Sequence, residues 1–138
     1  MSKFEPVNIG LKAEPLTMDG GTIGQIKHFF YHPEEATKER LDALWCKSQQ
    51  DTDPYPLYCA AAFFQDERMQ RKATKRLESY LEKHQDLGPA DLELLLDCIN
   101  IGERMGVNGA RLREYARRMT GQFVDHKELA DYAERLYI

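Results

Sequence analysis

Residues 89–105 constrain the fold more than any other segment, because they are apolar around most of a helix. At about 100° per residue, the large apolar side chains form two stripes, Leu92, Leu95, Leu96 and Ile99 in one and Leu94, Cys98, Ile101 and Met105 in the other. A narrow polar wedge is left for water, consisting of Glu93, Asp97, Asn100 and Arg104. A helix with this pattern must be surrounded by other helices. We therefore predict a mainly α, compact bundle with residues 89–105 at its centre.

Composition agrees with a single domain that spans residues 1–138. The chain is 42% hydrophobic and 30% charged, which is enough apolar material for one core. It has no apolar run long enough to cross a bilayer. Its three cysteines are an odd number without CxxC spacing, so we expect neither a disulfide framework nor a zinc site. With no secretion-signal pattern at the start, these features predict a cytoplasmic location and no cofactor.

The first 31 residues differ from the rest and predict an extended segment or small β-hairpin. Asp19-Gly20 is typical of a tight hairpin turn, and residues 23–30 would form the second arm. Helical patterning then starts at Pro33, where Glu34 and Glu35 suit the positive end of a helix. From there to residue 138 we predict a bundle of about five helices, the last three over residues 89–105, 109–119 and 125–137.

Five cations in the middle of the chain recur at helical spacing and would share one helix face. We call this set the basic stripe: Arg68, Arg71, Lys72, Lys75 and Arg76. Such a face attracts anions, whether phosphates or an acidic patch on a protein. Alternatively, it is an ordinary solvated face that is balanced by Glu67, Glu78 and Glu82.

A single straight helix over residues 57–83 would place Phe64 on the basic stripe. We predict instead a break near Gln65, with Asp66 capping a new helix, because the segment before the break is apolar on all sides and favours burial. An exposed Phe64 beside the cations is the alternative.

Residues 101–115 combine a small residue, Gly102, with a turn glycine, Gly106, and a residue suited to helix capping, Asn108. Apolar residues surround the turn, namely Ile101, Met105, Val107, Leu112 and Tyr115. This pattern resembles a DNA-binding helix-turn-helix unit, in which two helices cross closely at a turn with positive φ. An αα-hairpin with a Gly-Val-Asn-Gly connection is the other interpretation.

The resemblance implies that the start of the second helix reads bases in the major groove, as a dimer. The residues that would face the bases are Asn108, Gly109, Ala110, Arg113 and Arg117. Arg118 and the basic stripe would contact phosphates. The net charge of −4 argues against this function, because an acidic chain attracts DNA weakly.

No motif predicts catalysis or a metal site. His28 and His32 have the spacing of two ligands on one helix face, but Pro33 disfavours helix at His32 and no Glu lies between them. The three serines lie outside any nucleophile motif. We therefore expect a non-enzymatic module that binds a larger protein and inhibits or regulates it. Small proteins of this style often serve mobile elements or bacterial regulation, and an anti-defence inhibitor is one version. The alternative is a helix-turn-helix transcriptional regulator.

Overall fold

The structure is a computed structural model that describes residues 21–138, and within this range all regular structure is helical. Seven α-helices occur in this range: α1 (Thr22–Tyr31), α2 (Lys38–Gln49), α3 (Pro54–Phe63), α4 (Glu67–Lys83), α5 (Pro89–Arg104), α6 (Ala110–Gln122) and α7 (Lys127–Arg135). One 3-10 turn, Pro33–Glu35, lies between α1 and α2. The mainly α class is confirmed, although the helices number seven rather than about five.

Helix α1 replaces the predicted second arm of the hairpin. Its apolar residues recur at a helical spacing that turns one side inward, and Ile23, Ile26, Phe29 and Phe30 are all buried. The rings of Phe29 and Phe30 pack on Phe63 of α3, with centroids 6.3 and 5.9 Å apart. The strand prediction for residues 23–30 was therefore wrong, and the helical part begins before Pro33. The remainder of the predicted N-terminal segment, with Asp19-Gly20, lies outside the described residues.

Helix α2 starts later than predicted. Pro33, Glu34 and Glu35 form the separate 3-10 turn, and Thr37 caps α2 by accepting a hydrogen bond from the backbone N–H of Arg40 at 3.3 Å. The side chain of a threonine can satisfy an exposed amide at this position, whereas Pro33 merely tolerates the start of a helical turn.

The predicted break between α3 and α4 is confirmed. Gln65 adopts a positive φ of 54°, and the Asp66 carboxylate accepts a hydrogen bond from the backbone N–H of Met69 at 2.9 Å. This break rotates Phe64 into the core, where its ring meets Trp45 at a centroid distance of 5.0 Å. The basic stripe on α4 is therefore free of an exposed aromatic neighbour at Phe64.

Helix α5 shares the centre of the core with α3, because α3 packs on α1, α2, α4 and α5, whereas α5 packs on α3, α6 and α7. Helix α5 is nevertheless more deeply buried than expected. Asp97 and Asn100, two members of the polar wedge, are 0% and 1% exposed. Helix α7 covers them, since the Tyr132 hydroxyl donates to Asp97 Oδ1 at 2.7 Å and accepts from Asn100 Nδ2 at 3.2 Å. Burial and the Asp97 charge raise the pKa of the Tyr132 hydroxyl well above its usual range, so the hydroxyl remains a donor. The prediction that this part of the wedge faces water was wrong.

The turn between α5 and α6 is a Schellman motif built around Gly106. This residue has a φ of +85°, and the N–H groups of Gly106 and Val107 donate to the carbonyls of Glu103 and Gly102 at 3.1 and 2.9 Å. Gly102 itself packs on α3, because a Cβ atom there would lie 3.0 Å from Tyr58 Cε1. Within residues 21–138, no helix is long and apolar enough to span a membrane.

Candidate functional site

The basic stripe occupies the outer face of α4, opposite the side that packs into the core. Ala73, Leu77 and Leu81 are the buried residues of α4. All five cations of the stripe are exposed, and no carboxylate in residues 21–138 forms an ion pair with any of them. Like charges at this spacing repel one another. An anionic surface that covers the face would therefore lower its electrostatic free energy.

Two carboxylates on α4 that could neutralise the stripe are held by α6 instead. Arg111 Nε lies 2.8 Å from Glu78 Oε1, and Arg111 Nη2 lies 3.3 Å from Glu82 Oε1. The Tyr115 hydroxyl also donates to Glu82 Oε1, at 3.0 Å. Helix α6 thus contacts the acidic side of α4. The alternative prediction was a solvated face balanced by Glu67, Glu78 and Glu82, and two of these three carboxylates are paired with Arg111 instead.

Arg113, one of the residues predicted to read DNA, has a structural role instead. Arg113 forms a two-armed ion pair with Glu103 of α5, with Nε and Nη2 each 2.6 Å from a carboxylate oxygen. Its third nitrogen lies 3.4 Å from the Tyr137 carbonyl. Both side chains of the pair are mostly buried, at 15% and 20% exposure. A guanidinium in this position holds two helices and the C-terminal segment together, and it is poorly placed to reach a base.

Three other residues of the helix-turn-helix prediction also have structural partners. The N-cap of α6 is Gly109 and not Asn108 as predicted, although the Asn108 side chain accepts a hydrogen bond from the Ala110 N–H at 2.9 Å, just before the helix. Gly109 is buried against Glu103. The Arg118 guanidinium lies over the Tyr115 ring, 5.6 Å from its centroid. Ala110 and Arg117 are exposed, so the predicted reading surface is not assembled as one patch of donors.

A cleft of about 610 Å³ lies between the end of α4 and helix α6. Its lining includes Glu82, His84, Arg111, Tyr115 and Arg118. A second cleft, of about 410 Å³, lies between the start of α5 and the start of α7. The buried leucines of α5 line neither cleft.

The sequence reasoning missed a cluster of two histidines and two glutamates at the end of α1. His28, His32, Glu34 and Glu35 meet there because the 3-10 turn folds back on the helix. The spacing of His28 and His32 was a signal for this cluster, but the glutamates had been assigned to a helix start.

The two buried thiols, Cys59 and Cys98, lie 3.6 Å apart in the core. Burial raises the pKa of Cys98 well above its usual range, so this thiol is unreactive.

Comparison of the chain with models of known protein families, with curated proteins and with solved structures finds no match.

Proposed function

We propose that this chain is a small, non-enzymatic binding module that docks an acidic surface of a larger protein on the basic stripe of α4. The observation that supports it is the diversion of Glu78 and Glu82 to Arg111, which leaves five exposed cations without a carboxylate partner in residues 21–138. Such a face steers an oppositely charged partner and fixes its orientation. Binding would inhibit or regulate that partner.

The charge distribution favours a compact acidic patch over a nucleic acid. Residues 68–76 contain five cations and no carboxylate, and the chain has a net charge of −4, so the rest of the chain carries −9. The stripe extends over about 12 Å at 1.5 Å per residue. A protein patch of that length meets only the cations, whereas a long phosphate backbone would also approach the acidic remainder of the surface.

The helix-turn-helix alternative has one observation in its favour, the positive φ of Gly106 at the turn. It predicts a dimer whose α6 residues reach base edges. The ion pair of Arg113 with Glu103 argues against it, because a base contact would have to break a two-armed pair that is mostly buried.

A cytoplasmic location and a role in a mobile element or in bacterial regulation, including inhibition of a defence system, are part of the same proposal. Three free cysteines fit a reducing compartment. The small size and the charged face of α4 fit a protein that acts by covering a surface of its partner.

The test uses three variants of the full chain, in which exposed cations become glutamine. The stripe variant is Arg71→Gln, Lys72→Gln, Lys75→Gln; the α6 variant is Arg117→Gln, Arg118→Gln; and the control variant is Lys38→Gln, Lys47→Gln, Arg135→Gln. Each protein is titrated against a fluorescent glutamate-rich peptide and against a DNA duplex, at about 50 mM and about 200 mM salt. Circular dichroism verifies that all variants keep the wild-type helix content.

We expect the wild-type chain and the control variant to bind the acidic peptide, and the stripe variant to lose at least about tenfold in affinity, or about 1.4 kcal/mol. Equal peptide binding by the stripe and control variants would contradict the proposal. Tighter binding to DNA than to peptide, lost specifically in the α6 variant, would favour the helix-turn-helix alternative instead.

A further inference from the structure

Two imidazoles and two carboxylates meet where α1 ends. His28 Nε2 lies 3.1 Å from Glu35 Oε2, and His32 Nδ1 lies 3.8 Å from the same oxygen. His32 Nδ1 is also 3.5 Å from Glu34 Oε1. Ligand atoms of His32, Glu34 and Glu35 all lie within 4.8 Å of one another. One carboxylate oxygen thus faces both histidines.

The local backbone fixes this arrangement. His28 and His32 are four residues apart, and the N–H of His32 donates to the carbonyl of His28 at 2.7 Å, so their rings lie side by side with centroids 4.7 Å apart. The N–H of Glu35 then donates to the His32 carbonyl at 3.0 Å, which closes the 3-10 turn and brings the glutamate back to the helix end. Proline at position 33 favours this turn because its φ is restricted.

Arg40 orients the Glu35 carboxylate for this role. Its Nη1 donates to Glu35 Oε1 at 3.1 Å, which leaves Oε2 for the imidazoles. Carboxylates that bind metal ions are commonly held by such an outer hydrogen bond.

The distances between these atoms match those around a small transition-metal ion. Zinc binds histidine nitrogen and carboxylate oxygen at about 2.0–2.2 Å, and tetrahedral ligands at that radius lie about 3.3–3.6 Å from each other. The contacts of His32 Nδ1 with Glu34 Oε1, at 3.5 Å, and with Glu35 Oε2, at 3.8 Å, lie close to this value. His28 and His32 are 47% and 51% exposed, so an ion can enter from solvent.

We propose that His32, Glu34 and Glu35 bind a divalent transition-metal ion such as zinc, with His28 or water completing the coordination. Imidazole with carboxylate is a donor set that suits zinc, nickel and copper ions. The ion would join the end of α1 to the turn that leads into α2, well separated along the chain from the basic stripe.

The test measures zinc binding by isothermal titration calorimetry, with the full chain and zinc chloride as the probe. All proteins carry Cys46→Ser, because Cys46 is exposed and a free thiol would bind zinc by itself. The site variants are His32→Gln and Glu35→Gln. The matched controls are His84→Gln and His126→Gln, which remove the other two histidines of the chain, both exposed.

We expect one zinc ion per chain, and at least about tenfold weaker binding in each site variant, comparable to losses known for metal-site substitutions. The controls should bind as the parent does. In NMR spectra of the histidine rings, zinc should shift the signals of His28 and His32 and leave those of His84 and His126 in place.

Either of two results would overturn the proposal: no saturable zinc binding by the Cys46→Ser parent, or unchanged binding in both site variants. Circular dichroism without zinc separates loss of the site from loss of the fold. Since the cluster is on the surface, the variants should keep the parent's melting temperature in the absence of metal.

Discussion

Replacement of Arg113 by glutamine tests whether this residue holds helices together or reads DNA. In the structure the guanidinium makes two 2.6 Å contacts with the Glu103 carboxylate, and the two side chains are 15% and 20% exposed. Glutamine keeps most of the side-chain length but loses the charge and the second arm of the pair. We expect a less stable protein, because Glu103 then loses its bonded counter-charge in a mostly buried position.

The magnitude lies between two limits. Exposed ion pairs contribute about 0–1 kcal/mol, and breaking a fully buried pair costs about 3–5 kcal/mol. With about a sixth to a fifth of each side chain exposed, water can partly solvate the remaining carboxylate, so we expect a loss of about 2 kcal/mol in the free energy of unfolding. For a chain of this size that corresponds to a melting temperature lower by about 8 °C.

The assay is urea denaturation followed by circular dichroism, with Arg117→Gln as the matched control. Arg117 lies on the same helix and is exposed, so its replacement should change the free energy of unfolding by less than about 0.5 kcal/mol. A double-mutant cycle with Glu103→Gln should give a coupling of about 1–2 kcal/mol. If Arg113→Gln is as stable as Arg117→Gln, the pair does not hold α5 to α6, and the argument against base reading fails with it.

Three further substitutions test the fold that presents the surface. Leu96→Ala removes a side chain of α5 that is 0% exposed, and it should cost about 2–5 kcal/mol in urea denaturation; a loss below about 1 kcal/mol would mean that α5 is not central. Gly106→Ala places a Cβ on a residue with φ of +85° and should cost about 1–2 kcal/mol, although nothing lies within 4 Å of that Cβ; an unchanged melting temperature would contradict the left-handed turn. Tyr132→Phe removes the donor to Asp97 and should cost about 1–3 kcal/mol, detected as earlier hydrogen exchange in α7; exchange at the wild-type rate would show that this bond does not anchor the helix.

Local periodicity predicted those helices whose apolar residues recur clearly at a helical spacing. It placed α5 in the core, and it located the break at Asp66 because a straight helix would have exposed Phe64. It failed at α1, where Asp19-Gly20 suggested a turn followed by a strand, and the inward side formed by Ile23, Ile26 and Phe29 was overlooked. Glycine lowers the helix propensity of that segment, but packing against α3 outweighs it.

The burial of Asp97 and Asn100 could not be predicted from α5 alone. Polar residues on one side of an apolar helix normally indicate water. Here the satisfying partner is the hydroxyl of Tyr132, 35 residues after Asp97 along the chain, and only the path of α7 brings the two together. The same holds for the cluster of histidines and glutamates at the end of α1, which depends on a 3-10 turn that places Glu35 beside His28.

The charge balance of the basic stripe depends on the tertiary structure and not only on the sequence of α4. Glu78 follows Lys75 by three residues, a spacing at which oppositely charged side chains on a helix can pair, so the sequence permits local neutralisation. Arg111 of α6 competes for that carboxylate and holds it at 2.8 Å. Because Arg111 also lies 3.3 Å from Glu82, one cation from another helix accounts for two acids of α4. The positive potential of the stripe is therefore maintained by the docking of α6, and a change that loosens α6 would weaken the stripe without altering any of its five residues.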